Sequence, residues 1–358
     1  MPENPNCIVT VITTTFNLVK NGRVDFFKQC VESVHSQDYQ YIEHLVIDGA
    51  SSDGSLEIIR EYEQKGWLTC ISEPDKGIYD AMNKGIRLAK GKYIAFLNSD
   101  DFWHDSHGVS ESVKALEANQ ASMSYADRNI ITSEGKLMWD ERANVGLFLH
   151  HMPFCHQTIF TRRDILLKYG GFNAVDFRSA ADYDLIMRIL LHGESVIYVT
   201  RNFTTFRFGG FSATDEALSE QECVKIRETH LSGYSVDRIK DGYISSSLLQ
   251  HILCRVHSSV ANNLLLSYTL VEPDTYRLST GKVLFDPQNN RVTSLNPVPA
   301  FSPKLIDDTP EQKTNTANTY SVYYLFGCIP LIKAAKKNNQ TTYYLCSIVP
   351  IFRIRVKR

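Results

Sequence analysis

The sequence predicts a doubly wound α/β fold, a mostly parallel sheet with helices on both faces. Two features carry that expectation. Through the first third of the chain, short β-branched runs alternate with stretches of helical periodicity. Each run also ends in a polar cluster, and in such sheets ligands bind beyond the carboxyl ends of the strands. A length of 358 residues, 43% hydrophobic and 22% charged, excludes wholesale disorder. It suits one core domain of about 200 residues with a smaller extension.

The elements follow in order. Cys7 to Thr13 is a β-branched run suited to a strand buried on both faces. After a polar turn at Asn21-Gly22, Phe26, Phe27, Cys30, Val31 and Val34 recur at helical spacing. Tyr41 to Asp48 is a second strand, followed by the loop Gly49 to Gly54 and a helix through Leu56, Ile58, Ile59 and Tyr62. Leu68 to Ile71 is a short strand, Ile78 to Leu88 a helix, and Lys92 to Leu97 a strand ending in Asn98-Ser99-Asp100-Asp101. Beyond it the mixed pattern continues, with a strand at Thr158-Ile159-Phe160 and loops at Gly170-Gly171 and Gly209-Gly210. The α/β body is thus placed at 1–215 and a helical extension at 216–285. A flexible connector rich in Asn, Thr, Ser, Asp and Pro follows at 286–318, and a basic, Tyr-rich segment at 319–358.

Charge and cysteine usage narrow the function. A net charge of −2 excludes nucleic-acid binding through bulk charge. No run of apolar residues is long enough to span a membrane, and Met1 to Pro5 shows no basic region leading into an apolar stretch, so no secretory signal is expected. The eight cysteines form no C-x-x-C pair, which fits a reducing cytosol.

The chemistry concentrates at the strand ends. Asp100 and Asp101 are adjacent carboxylates after an apolar strand, an arrangement a hard divalent ion would relieve and a helix N-cap would also explain. Asp48 ends another strand, Glu73-Pro74-Asp75-Lys76-Gly77 follows a third, and Thr13, Thr14, Thr15 and Asn17 close the first. Together they offer acceptors for a base, partners for a ribose and a metal with a cation for phosphates. No glycine-rich phosphate cradle is present, which leaves the phosphates to a metal.

Four ordered stretches then resemble glycosyltransferase family 2: Val11 to Asn17, Val46 to Gly54, Glu73 to Gly85, and Tyr93 to Asp101. The likeness covers roughly residues 7 to 215, and with Ala181-Asp182-Tyr183-Asp184-Leu185 it is closest to bacterial enzymes building O-antigen, capsule or exopolysaccharide. The resemblance implies a GT-A type fold and inverting transfer of a sugar from a nucleotide-diphosphate donor, a UDP-sugar, to a glycan hydroxyl on a polyprenyl lipid. It implies that Thr14, Phe16, Asp48, Asp75, Lys76 and Asn83 line the donor pocket. It implies that Asp100 and Asp101 bind Mg²⁺ or Mn²⁺, with Asp101 the direct ligand, and that Asp182 is the catalytic base. Two departures stand out. Phe16 replaces an aromatic hydroxyl, and Ala181 replaces the Glu that usually precedes the base.

Further residues have two readings each. Asp182 opens a helical segment and would also serve as an N-cap, while Asp184 and Arg188 make an i,i+4 ion pair. His156 faces the acceptor cleft or satisfies a backbone group. With His150, His151 and Cys155 it also invites zinc, though the spacing matches no tetrahedral pattern. Arg207 either reaches the donor phosphates or belongs to an ordinary turn. A nucleotidyltransferase acting on sugar phosphates would need a glycine-rich first loop, and a HAD-like phosphatase an Asp where Thr14 and Asn17 stand. A non-catalytic sugar-binding or scaffold protein of this fold would lose the acidic pair or the base, and both are here.

The C-terminal segment repeats itself: Tyr323-Tyr324-Leu325 with Pro330 recurs as Tyr343-Tyr344-Leu345 with Pro350. From Lys313 onward every charged side chain is basic. Tyr beside Lys and Arg suits an anionic membrane surface, and a hairpin packed on the body is the alternative. The expected location is the cytoplasm, with peripheral attachment to the inner face of the plasma membrane.

Overall fold

The computed structural model describes residues 8–209, 216–272 and 274–278, together with the short strands 285–286, 291–292, 319–325, 329–337, 340–345 and 349–355. Val9–Thr15 forms β1, almost wholly buried, as its β-branched sequence requires. Alternation follows: α1 (Val24–His35), β2 (Ile42–Asp48), α2 (Ser55–Gln64), β3 (Thr69–Ser72), α3 (Ile78–Leu88) and β4 (Tyr93–Phe96). Next come β5 (Phe102–Trp103), α4 (Gly108–Asn119), β6 (Met123–Ile131), β7 (Leu137–Glu141), β8 (Phe160–Arg162), α5 (Arg163–Lys168), α6 (Ala181–Leu191) and β9 (Val196–Arg207). The nine strands lie in one sheet, in the order β3-β2-β1-β4-β8-β6-β9-β5, with β7 paired to β6. Strands β3, β2, β1, β4, β6 and β9 run one way, and β8, β5 and β7 run against them.

Both faces are covered. Val9 and Val11 join Cys30, Val34, Val113 and Leu116 in a core beneath α1 and α4. Ile12 points the other way along the strand, toward α3, where a Cβ on Gly85 would stand 2.6 Å from its Cγ2. Helix and sheet therefore approach as closely as a glycine permits. The strand expected over Thr158-Ile159-Phe160 is displaced. His156–Thr158 is a 3₁₀ turn, and β8 begins at Phe160. The Thr158 hydroxyl donates to the Cys155 carbonyl at 2.8 Å, a local bond that competes with a sheet ladder.

Beyond β9, α7 (Glu216–His230), α8 (Ser246–Leu253) and α9 (Ser258–Ser267) belong to the same contact unit as the sheet, which runs to Thr269 and takes in 277–293. A second unit holds Leu270–Tyr276 and the strands from 319 onward. There the repeat becomes two equivalent antiparallel hairpins, Thr319–Leu325 with Ile329–Lys337 and Gln340–Leu345 with Val349–Arg355. Tyr324 pairs with Pro330 and Tyr344 with Pro350, each next to a register shift. Apart from strands 291–292, the connector expected at 286–318 lies almost entirely outside the described residues, as does Gly210. Among the described residues, no helix is long and apolar enough to cross a membrane.

One buried and one partly buried histidine give the fold a pH dependence. His44 sits in β2 with Nε2 3.0 Å from the Thr13 hydroxyl, and burial pushes its pKa down to about 3. Burial pushes His150 down to about 4. Both stay neutral in the folded chain, whereas their unfolded counterparts protonate near pH 6.5. The unfolded state therefore takes up more protons as the pH falls, and stability present above about pH 6.5 is lost toward pH 4. The melting temperature should fall between pH 7 and pH 5, and less steeply in His44→Gln. A slope unchanged by that substitution would remove His44 from the account.

Candidate functional site

The carboxyl ends of β1, β2 and β3 align in register, Thr15 beside Asp48 and Asp48 beside Ser72. Asp48 is fully buried and accepts from Thr15 Oγ1 (3.1 Å), Ser72 Oγ (2.7 Å), Ser51 Oγ (2.6 Å) and the Ser51 N–H (2.9 Å). A carboxylate so occupied ties three segments together. It lies at the floor of the site, bonded to Thr15 and next to Gly49, both of which line the cleft above.

Above it opens a cleft of about 1040 Å³. Thr14, Phe16, Asp75, Lys76, Asp100, His156 and Asp182 all line it, so most of the expected site residues converge. Phe16 is 60% exposed, an unusual state for a large apolar ring. Gly49 lets two side chains close on each other here: a Cβ at that position would stand 2.7 Å from Asp75 Oδ2 and 3.2 Å from the Phe16 ring. An aromatic face beside a carboxylate is a fit for a planar base with an N–H to donate. Gly49→Ala should therefore raise the donor KM about tenfold with kcat little changed, because it disturbs binding and not the reacting groups. Unchanged donor KM would move the base elsewhere.

The acidic pair separates by direction. Asp101 is 1% exposed and turned inward, with Oδ1 accepting from the Arg207 N–H (2.6 Å) and Oδ2 from Gln157 Nε2 (2.5 Å). Burial, and then the charge of Asp100, hold its carboxyl well above the usual range. Asp100, which lines the cleft together with Asp101, lies 3.0 Å from Arg23 Nη1. Each Asp101 oxygen carries one hydrogen bond and keeps a second lone pair, so either carboxylate of the pair can still present an oxygen to a cation.

Two expectations change. Asn83 does not line the cleft. Its amide donates to the Phe172 carbonyl (2.8 Å) and accepts from the Phe172 N–H (2.9 Å), and a Cβ on Gly171 would collide with its Oδ1. The next residue along the helix, Lys84, donates to the Pro74 carbonyl (2.6 Å) and pairs with Glu73 (3.1 Å). Helix α3 thereby clamps a loop on either side. The Arg207 guanidinium is 4.1 Å from the centre of the Phe26 ring and bonded to Gln29, away from the cleft wall. The cations on that wall are Arg23, Lys76, Arg128 and Arg178.

Asp182, at the start of α6, accepts from the Tyr79 hydroxyl (3.1 Å) and lies 3.5 Å from His156 Nδ1. Tyr79 also bonds the Ser179 carbonyl at 2.9 Å, and burial followed by the charge of Asp182 raises its pKa well above the usual phenol range. Asp184 pairs with Arg188 (2.7 Å) as the spacing predicts, and with His230 (2.8 Å), which the spacing does not reveal. The histidine cluster disperses: His150 bonds the Ile239 carbonyl and the Tyr268 hydroxyl. No group of three or more His, Cys, Asp or Glu suited to a metal occurs among the described residues.

Residues 10–183 match the family model described as glycosyl transferase family 2. An uncharacterized glycosyltransferase of Mycobacterium tuberculosis is 32% identical over 201 residues, covering 52% of this chain and 71% of its own. An Escherichia coli protein named UDP-Glc:alpha-D-GlcNAc-diphosphoundecaprenol beta-1,3-glucosyltransferase WfaP is 28% identical over 189 residues, with the same two coverages. Among solved structures, the mannosyltransferase PcManGT from Pyrobaculum calidifontis, in complex with GDP-Man and Mn²⁺, superposes with a TM-score of 0.50 at 17% identity, over 74% of this chain and 76% of that one. That likeness is one of fold.

Proposed function

Because the chain belongs to glycosyltransferase family 2, we propose that it transfers a sugar, with inversion, from a UDP-sugar to a hydroxyl of a polyprenyl-linked glycan in bacterial surface polysaccharide synthesis. The observation that carries this reading is one cleft with Phe16 and Asp75, Asp100, and Asp182 all on its wall. Phe16 stacks on the base while Asp75 accepts its N–H. Arg23 and Lys76 balance the diphosphate. Asp182 removes the proton from the attacking hydroxyl on the face opposite the leaving group. Inversion is what the resemblance to the family implies. The polyprenyl acceptor and the uridine donor draw support from the activity for which the E. coli relative is named.

The residues present also fit Mg²⁺ or Mn²⁺. A hard cation of this kind takes one or two carboxylates and completes its shell with substrate phosphates and water, and Asp100 and Asp101 supply carboxylates on the cleft wall while the described residues form no all-protein cage. Bound there, such an ion would act as a Lewis acid on the departing diphosphate.

The test is release of nucleoside diphosphate from a panel of UDP- and GDP-sugars with lipid-linked glycan acceptors, with and without EDTA. Acceptor-dependent UDP release lost in EDTA is expected. Release from GDP-sugars alone would overturn the donor, and no release with any pair would overturn the activity. The basic C-terminal segment is read as the part that meets an anionic membrane on its cytoplasmic side, supported by Lys333, Lys336, Lys337, Arg353 and Arg355 within its strands. Removing residues after 318 should leave transfer to a soluble acceptor within about twofold and cut sedimentation with anionic vesicles, most visibly at low salt. Equal sedimentation without the segment would end the membrane reading.

A further inference from the structure

Helix α6 carries the candidate base, yet it has no side-chain cap of its own. The N–H groups leading into it are met from elsewhere in the chain. Glu222, in the middle of α7 and 7% exposed, accepts the Arg178 N–H at one oxygen (2.8 Å) and the Ser179 and Ala180 N–H groups at the other (2.9 and 2.8 Å). Three charge-assisted bonds, each stronger than a neutral one, thus converge on one buried carboxylate. The same turn offers the Ser179 carbonyl to Tyr79, whose hydroxyl also reaches Asp182. A continuous path therefore runs from Glu222 through the turn to Tyr79 and Asp182. Ser219 and Cys223, on the same stretch of α7, stand on the cleft wall.

We propose that Glu222 is a positioning residue for transfer: it fixes the Arg178–Ala180 turn and, through Tyr79, the place of the Asp182 carboxylate. This rests on the reading of Asp182 as the base. Glu222 touches no reacting atom; it orients the group that does. Displacing a base by about an ångström from its productive position is enough to cost on the order of a hundredfold in rate. Binding of the donor, built on Phe16, Asp75 and Asp100, lies outside the path.

The experiment is a double-mutant cycle between Glu222→Gln and Asp182→Asn, read as kcat and donor KM separately. Glu222→Gln should lower kcat by about ten- to a hundredfold with donor KM within about threefold, and Glu222→Asp should recover part of the loss. In the Asp182→Asn background, Glu222→Gln should cost less than about threefold, because the group it positions no longer takes the proton. An equal loss in both backgrounds, or a kcat unchanged by Glu222→Gln, overturns the proposal. If Asp182→Asn alone leaves kcat intact, it is the reading of the base that has failed, and the cycle reports this independently. Should Glu222→Gln not fold, Tyr79→Phe carries the same test from the other end of the path, with kcat down about fivefold or more and that loss abolished by Asp182→Asn. A Tyr79→Phe loss that persists in the Asp182→Asn background, or no loss at all, overturns it equally.

Discussion

Asp182→Asn should lose turnover by about a hundred- to ten-thousandfold while binding the donor as before, the range a general base contributes. The substitution is nearly isosteric. An amide oxygen in the place of Oδ1 still accepts from the Tyr79 hydroxyl and from the Tyr183 N–H at 2.9 Å, so α6 and its turn keep their geometry. What disappears is a site for the proton of the attacking hydroxyl. His156, 3.5 Å away, is the nearest replacement, and a residual rate abolished by adding His156→Gln would identify it as the relay. Calorimetric donor affinity unchanged alongside a collapsed kcat is the expected pair of results. Lost affinity with normal turnover would show that Asp182 holds the donor and that the base lies elsewhere.

Substitutions at the two neighbouring carboxylates should diverge just as sharply. Asp100→Ala removes a side chain that stands on the cleft wall and meets Arg23, so the fold should melt within a few degrees of the wild type while metal-dependent transfer falls about a hundredfold or more. Asp101→Ala strips the partner from the Arg207 N–H and from Gln157 in a fully buried place. Two donors left unsatisfied there cost about 2–5 kcal/mol, which appears as lower stability before any question of chemistry. Melting curves with and without Mn²⁺ separate the two. If Asp100→Ala melts early and Asp101→Ala does not, the assignment of direction is reversed.

The first half of the sheet was legible because β1, β2 and β4 are short, largely buried runs followed by polar residues in the loop beyond, while the shorter β3 is only half-buried. Periodicity reports burial, and here burial and topology coincide. It does not report which of two adjacent carboxylates turns inward, since Asp100 and Asp101 belong to one turn and differ only in what stands opposite each. That requires Arg207 and Gln157, contacts more than fifty residues away in the chain. Asn83 misled for a related reason. Its motif marks it as polar and important, and it is, but its partners are the backbone of Phe172. Tyr79 had a usable signal, a hydroxyl within the Ile78-to-Gly85 stretch of a helix facing the strand ends. Glu222 had none, because three N–H groups of another segment leave no mark on the residues around it.

One consequence concerns α3. Tyr79 and, one turn on, the adjacent Asn83 and Lys84 leave a single rod, and they reach respectively Asp182, the Phe172 loop and the loop that carries Asp75. The Asp182 and Asp75 sides of the cleft are thus gauged from one straight part, in the way that two jaws mounted on one bar keep their separation whatever the bar itself does. Inserting a single residue at its middle would swing everything beyond by about 100° and uncouple the jaws at once. Lengthening a surface loop of the same sheet would leave that spacing untouched.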